Sequence, residues 1–199
     1  MRIFRFGIQV KIFAILLVVI AFYGANSVLN YYYIQQNEGF TTYNKDVVQP
    51  SSQALQELQL VIAKSREYTK SWVKTPKVDS DDKWALQKIH RETYPELSER
   101  LADLSSKWKI TAERDSLDIV LLRLKDAMIL QTEVMTMLAK FEDYDGGFSE
   151  IDAESKAEDV GMISAEVSTK IETLLDIQKK KVSEMDAEIL SSYSNLRFS

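Results

Sequence analysis

Two hydrophobic patterns divide the chain. Residues 12–37 carry no charged side chain, and most of residues 12–34 are apolar or aromatic. Beyond Pro50, apolar side chains return at alternating spacings of three and four, separated by charged ones. The first pattern is long enough to cross a bilayer, which takes roughly 20 mostly apolar residues. The second is that of helices that bury one stripe and leave the rest in water.

Four such helices are predicted. The first runs from the membrane to about Trp72, with Leu55, Leu58, Ile62, Ser65, Thr69 and Trp72 on one stripe, widened by Ala54, Val61 and Tyr68. Gly39 and Pro50 predict a kink in its membrane-proximal part. Pro76 ends it, and Asp79 or Ser80 can cap the second helix, with Asp81 and Asp82 in its first turn. The stripe of that helix is Leu86, Ile89, Thr93, Leu97, Leu101, Leu104 and Trp108, with Pro95 predicting a bend. Thr111 can cap the third helix, where Leu117, Leu121, Leu124, Met128, Gln131, Met135 and Leu138 repeat at heptad spacing and end near Phe141. Ser149 with Asp152 forms a near-capping box for the fourth, from about Glu150 to Leu196. Its stripe is Val160, Ile163, Val167, Ile171, Leu174, Gln178, Met185, Ile189 and Leu196, with Val182 and Tyr193 beside it.

At about 1.5 Å per residue the second and third helices each extend roughly 45 Å. The first and fourth are longer by a dozen or so residues. With short connections this predicts an all-α chain: an N-terminal transmembrane helix followed by an antiparallel, up-down-up-down four-helix bundle with long first and fourth helices. The expected divisions are a basic N-terminus (1–11), a transmembrane helix (12–33) and a bundle (34–199).

Charge sets the expected orientation. Arg2, Arg5 and Lys11 precede the span and predict a cytoplasmic N-terminus, with the bulk of the chain outside. Tyr31, Tyr32 and Tyr33 fall where an outer aromatic belt belongs. A cleavable signal peptide is the competing reading, because Ala25 and Ser27 make a small-x-small pair; the segment nonetheless keeps its helical, apolar character through Ile34. Three of the 25 basic residues precede the span, so 22 stand against 30 acids outside, which gives no reason to seek nucleic acid. The chain has no cysteine, hence no disulfide, and its six glycines and three prolines argue against a turn-rich β fold.

The start MRIFRFGIQVKIFAILLVVIAFYG, the helix LQELQLVIAKSREYTKSW and the tail ISAEVSTKIETLLDIQKKKVSEMDAEILSSYSNLRF together resemble the N-terminal sensor module of bacterial transmembrane receptors. Methyl-accepting chemotaxis receptors and sensor histidine kinases with a four-helix-bundle sensor domain are the nearest comparison. The resemblance is one of order, length and pattern, with no short signature and no ligand motif. It implies an inner-membrane homodimer that passes small helix displacements to a cytoplasmic output domain, the last helix continuing into a second span. A different class is a membrane-anchored structural or adaptor subunit that binds a periplasmic protein and senses no small molecule. A third is an enzyme whose catalytic part lies downstream, which leaves this segment non-catalytic.

Little in the chain points to catalysis. His90 is the only histidine, with Pro95 five residues later as in a phosphoacceptor box, but Arg91 stands where that box has an acid; a solvated helix histidine is the expectation. Asp143, Asp145, Gly146 and Asp152 fall near places three, five, six and twelve of a calcium loop, yet Phe141 occupies the first place and cannot ligate. An acidic turn accounts for the same residues, so no metal or cofactor is expected. Glu92 and Glu96 share a helix face without sign of a dry pocket. Arg66 and Lys70, four residues apart with Tyr68 near the seam, are the candidate binding residues: across a dimer they could hold a small anion such as a carboxylate. Trp72, Trp84, Phe141 and Phe148 are expected to cluster at the membrane-distal end.

Overall fold

A computed structural model describes residues 8–77, 79–144 and 147–197. Arg2, Arg5, Asp145 and Gly146 lie outside the described residues, as do the side chains of Tyr193 and Leu196. The chain is all-α, and no strand occurs among the described residues. In order come α1 (Ile8–Tyr43), a π turn (Asn44–Val48), α2 (Gln49–Lys74), α3 (Asp81–Lys88), a second π turn (Ile89–Thr93), α4 (Tyr94–Ser106), α5 (Thr111–Met137), a 3₁₀ turn (Phe141–Asp143) and α6 (Phe148–Arg197).

Contacts divide the chain into two units, Met1–Asn44 with Val182–Ser199, and Lys45–Lys181. In the first unit, the most apolar 18-residue stretch of helix reaches a mean hydropathy of 2.4 with none of it buried. Its large apolar side chains, Phe13, Ile20, Leu29 and Ile34 among them, stand exposed, while Asn26 and Tyr33 are half-buried. By length and composition, this is the one helix among the described residues able to cross a membrane.

The second unit buries the expected stripe of α2 and, Thr93 excepted, that of the second helical stretch. On α5 Val120, Ala127 and Val134 are buried, while the expected Leu121, Met128 and Met135 are only half-buried. On α6 Ile163, Met185 and Ile189 are half-buried. Leu55, Leu58, Ile62, Ser65, Thr69 and Trp72 of α2 are all buried, as are Leu86, Ile89, Leu97, Leu101, Leu104 and Trp108 of the second helical stretch. Partner order gives the helix directions. Along α2, Ser51, Glu57 and Ser71 meet Trp108, Arg100 and Asp82. Along α5, Glu113, Arg123 and Glu133 meet Lys181, Glu166 and Lys156. In each series one numbering rises as the other falls, so the paired stretches run in opposite senses. α6 approaches through small residues as well: Ala153, Ala157 and Ser164 are buried beside its larger Val160, Val167 and Ile171.

At both prolines where a kink was expected, the helix carries a π turn. Pro50 and Pro95 are each the second residue after a five-residue π turn. A proline in a regular helix removes one backbone bond and crowds the carbonyl four residues back. One extra residue in the preceding turn moves the ladder past that carbonyl; at the second site the Tyr94 N–H bonds to Ile89 O, five residues back.

Helix ends also differ from expectation. Ser80 does cap α3, its hydroxyl accepting from the Lys83 N–H at 3.4 Å. Ile110, not Thr111, is the N-cap of α5, and Thr111 is its first residue. Ser149 lies inside α6 and not before it. α5 stops at Met137, and Phe141 belongs to the 3₁₀ turn. The expected aromatic cluster does not form: Trp84, Phe141 and Phe148 are 65%, 66% and 94% exposed, while Trp72 is buried. On α3 the inward face is taken by Lys83 and Leu86 three residues apart, which turns Trp84 outward. Trp72 packs instead with Val73, Leu86, Val134, Leu138, Ala153 and Ala157, with Tyr144 against them.

Candidate functional site

Two surface grooves flank α2 within the second unit. One, of about 610 Å³, lies between α2 and α6, and Arg66, Lys70 and Lys74 form one wall, with Glu154, Glu158 and Gly161 opposite. The other, of about 570 Å³, lies between α2 and the α3–α4 stretch; Tyr68, Lys64, Trp84 and Lys88 are among its lining residues. The candidate residues Arg66 and Lys70 therefore share a groove, while Tyr68 lines the other one. Two residues of helix rotate a side chain by about 200°, so Tyr68 faces away from both cations. Arg66 Nη2 donates to Glu67 Oε1 at 3.3 Å, and Lys70 has no ion pair among the described residues.

His90 is not the solvated histidine that was expected. It sits in the second π turn, half-buried, with Nε2 2.9 Å from Gln131 Oε1 on α5. Gln131 Nε2 donates to Thr69 Oγ1 at 2.9 Å, and Thr69 Oγ1 donates to the Ser65 carbonyl at 2.7 Å. The carbonyl can only accept, which fixes every donor along the chain. Thr69 must give its proton to Ser65 O, so Gln131 presents its amide N–H to Thr69 and its oxygen to His90. His90 Nε2 must then carry a hydrogen. Burial pushes the His90 pKa down, and the Gln131 bond opposes that only in part. Three helices are thus tied by one oriented polar chain through the core.

A second polar knot closes the turn after α5. The Lys83 ammonium, on a side chain only 4% exposed, donates to Tyr144 Oη at 2.7 Å and lies 5.0 Å from the Trp72 ring centroid and 4.8 Å from that of Tyr144. Tyr144 Oη donates to Trp72 O at 2.7 Å, and Trp72 Nε1 donates to Leu138 O at 3.2 Å. Burial lowers the Lys83 pKa. Burial, with Asp143 and Glu150 nearby, pushes the Tyr144 phenol up to about 12. A third polar group, Glu113, is 4% exposed and pairs with Lys181, with Gln178 Nε2 at 3.5 Å.

Lys83, Glu113 and Tyr144 were not anticipated. Lys83 stands three residues before Leu86 and Glu113 four before Leu117, both at stripe spacing, and that was the legible signal. No group of three or more His, Cys, Asp or Glu among the described residues could hold a metal. Of the calcium-like set, Asp143 accepts the Lys140 N–H at 2.7 Å and so closes the turn itself, while Asp152 lies within α6.

No protein-family model matches the chain, and no match is found among curated proteins or solved structures.

Proposed function

We propose that the chain is the input module of a bacterial membrane receptor, of the chemoreceptor or sensor-kinase type. On this reading α1 spans the inner membrane with the N-terminus in the cytoplasm. The second unit is an extracytoplasmic, up-down-up-down four-helix bundle, whose long first and last helices lead back to the bilayer, and two copies pair as a homodimer. The module is sensory and not catalytic. The observation that carries the reading is α1: an apolar helix with no buried residue in its most apolar stretch precedes a compact helical unit that has its own core. In water such a surface has no stable partner, and a bilayer supplies one. On this reading a stimulus shifts the balance between two packings of the first and last helices of the bundle, by roughly the one or two ångströms typical of such interfaces. A stimulus transmits only if it binds the two packings unequally.

The absence of cysteine permits a direct test. Lys109→Cys, on the exposed turn after α4, is expected to react with a membrane-impermeant maleimide in intact spheroplasts. Reaction only after permeabilisation places the bundle inside and ends the sensory reading.

A membrane-anchored adaptor is the second reading. It is favoured by Ile119, Leu122 and Ile129, which stand about half exposed or more along α5 and offer a protein partner an apolar strip. Copurification of a different membrane subunit, lost on Leu122→Glu, would support it.

A further inference from the structure

We infer that the groove between α2 and the α3–α4 stretch binds a small organic anion with a flat apolar body, its acid held between Lys64 and Lys88 and its body on Trp84.

Three observations converge on that occupant. The first is volume: about 570 Å³ lies within the range of small-molecule sites. The second is charge. Of the groove's ionic side chains, Arg100 is neutralised by Glu57, which leaves Lys64 and Lys88 facing only Glu96. Neither lysine has an ion pair among the described residues, so the groove is locally positive on a chain of net charge −5. The third is Trp84, 65% exposed, with a ring whose present cover is the Lys88 ammonium at 5.4 Å from its centroid. An arriving acid can draw that ammonium onto itself and free the ring face for an apolar body. Ile89 and Leu97 supply the buried floor.

The place of the groove gives binding a consequence. Ile89 and Thr93, the first and last residues of the second π turn, line it. Between them is His90, which starts the polar chain to Gln131 and Thr69. An occupant therefore presses on a turn whose His90 side chain bonds to α5 directly and is linked to α2 through Gln131. As a stimulus it rests on the sensory role proposed above; as a binding event it can be scored separately.

The probe is 3-(4-fluorophenyl)propionate, titrated against the full chain in lipid nanodiscs and followed by fluorine line broadening corrected for empty nanodiscs. Saturable binding with a Kd below about 1 mM is expected. Weakening by at least about tenfold is expected for the Lys64→Gln, Lys88→Gln double variant and for Trp84→Ala, both at exposed positions that leave the core intact. The Arg66→Gln, Lys70→Gln variant, on the other groove, should bind as the parent does. No saturable broadening overturns the inference. So does equally tight binding of 3-(4-fluorophenyl)propan-1-ol, or a loss of binding confined to the Arg66, Lys70 variant. Maleimide labelling is independent of these results: binding with an inward-facing bundle keeps the site and ends the sensory role, whereas outward labelling without binding does the reverse.

Discussion

A histidine whose hydrogen bond runs to a glutamine oxygen behaves differently from one in water. His90 Nε2 must donate, because Gln131 gives its own N–H to Thr69 and Thr69 gives its proton to Ser65 O. Removing the middle of this chain should cost more than one bond is worth, since Thr69 and His90 are left facing an apolar side chain. Gln131→Leu is expected to destabilise the bundle by about 1–3 kcal/mol in urea unfolding. Acid tests the other end. Unfolded His90 takes up a proton near pH 6.5, whereas the folded group does so only at lower pH. Between those two points the unfolded state holds more protons, so stability declines as pH falls through the window, and above it His90 contributes no slope. His90 is the sole histidine, so His90→Gln should flatten the change in urea midpoint between pH 7.5 and 5.5. An unchanged slope in that variant assigns the effect elsewhere.

At the scale of elements, the two π turns are one solution used twice. Each precedes a proline at the same spacing and removes the clash that a regular helix would suffer. A proline in an uninterrupted helix costs roughly 3 kcal/mol against alanine. Because the π turn already accommodates Pro95, Pro95→Ala should change the urea stability by less than about 1 kcal/mol. A gain near 3 kcal/mol would show that the strain had not been relieved. Between α5 and α6 the decisive pair is Glu113 with Lys181, 4% and 16% exposed. Lys181→Met leaves the Glu113 carboxylate buried without its cation, an arrangement that costs about 3–5 kcal/mol. The thermal midpoint of that variant should fall, and the Glu113→Gln, Lys181→Met double variant should regain part of the loss.

For the whole molecule, the controlling quantity is the apolar surface of α1. A charged residue at the centre of a span costs roughly 2.5–3.5 kcal/mol on insertion scales. Val19→Arg is therefore expected to move a measurable share of the chain from the carbonate-resistant membrane pellet into the supernatant. The parent should stay in the pellet. Extraction of the parent would mean that α1 is not embedded.

Periodicity alone made much of the fold legible, because a helix that buries one face must repeat its apolar residues near every 3.6 positions whatever it packs against. The α2 stripe from Leu55 to Trp72 is buried residue by residue as spacing predicts, and the apolar run of α1 needs no neighbour to be recognised. Spacing along one helix says nothing of which polar group on another will lie opposite. Tertiary packing alone set Gln131 between His90 and Thr69 and laid Lys83 against Trp72 and Tyr144. Those partners lie about 10 to more than 60 residues apart in sequence, so their meeting depends on how the helices are rotated and staggered. A shift of one residue turns a helix by about 100° and exchanges every one of these contacts.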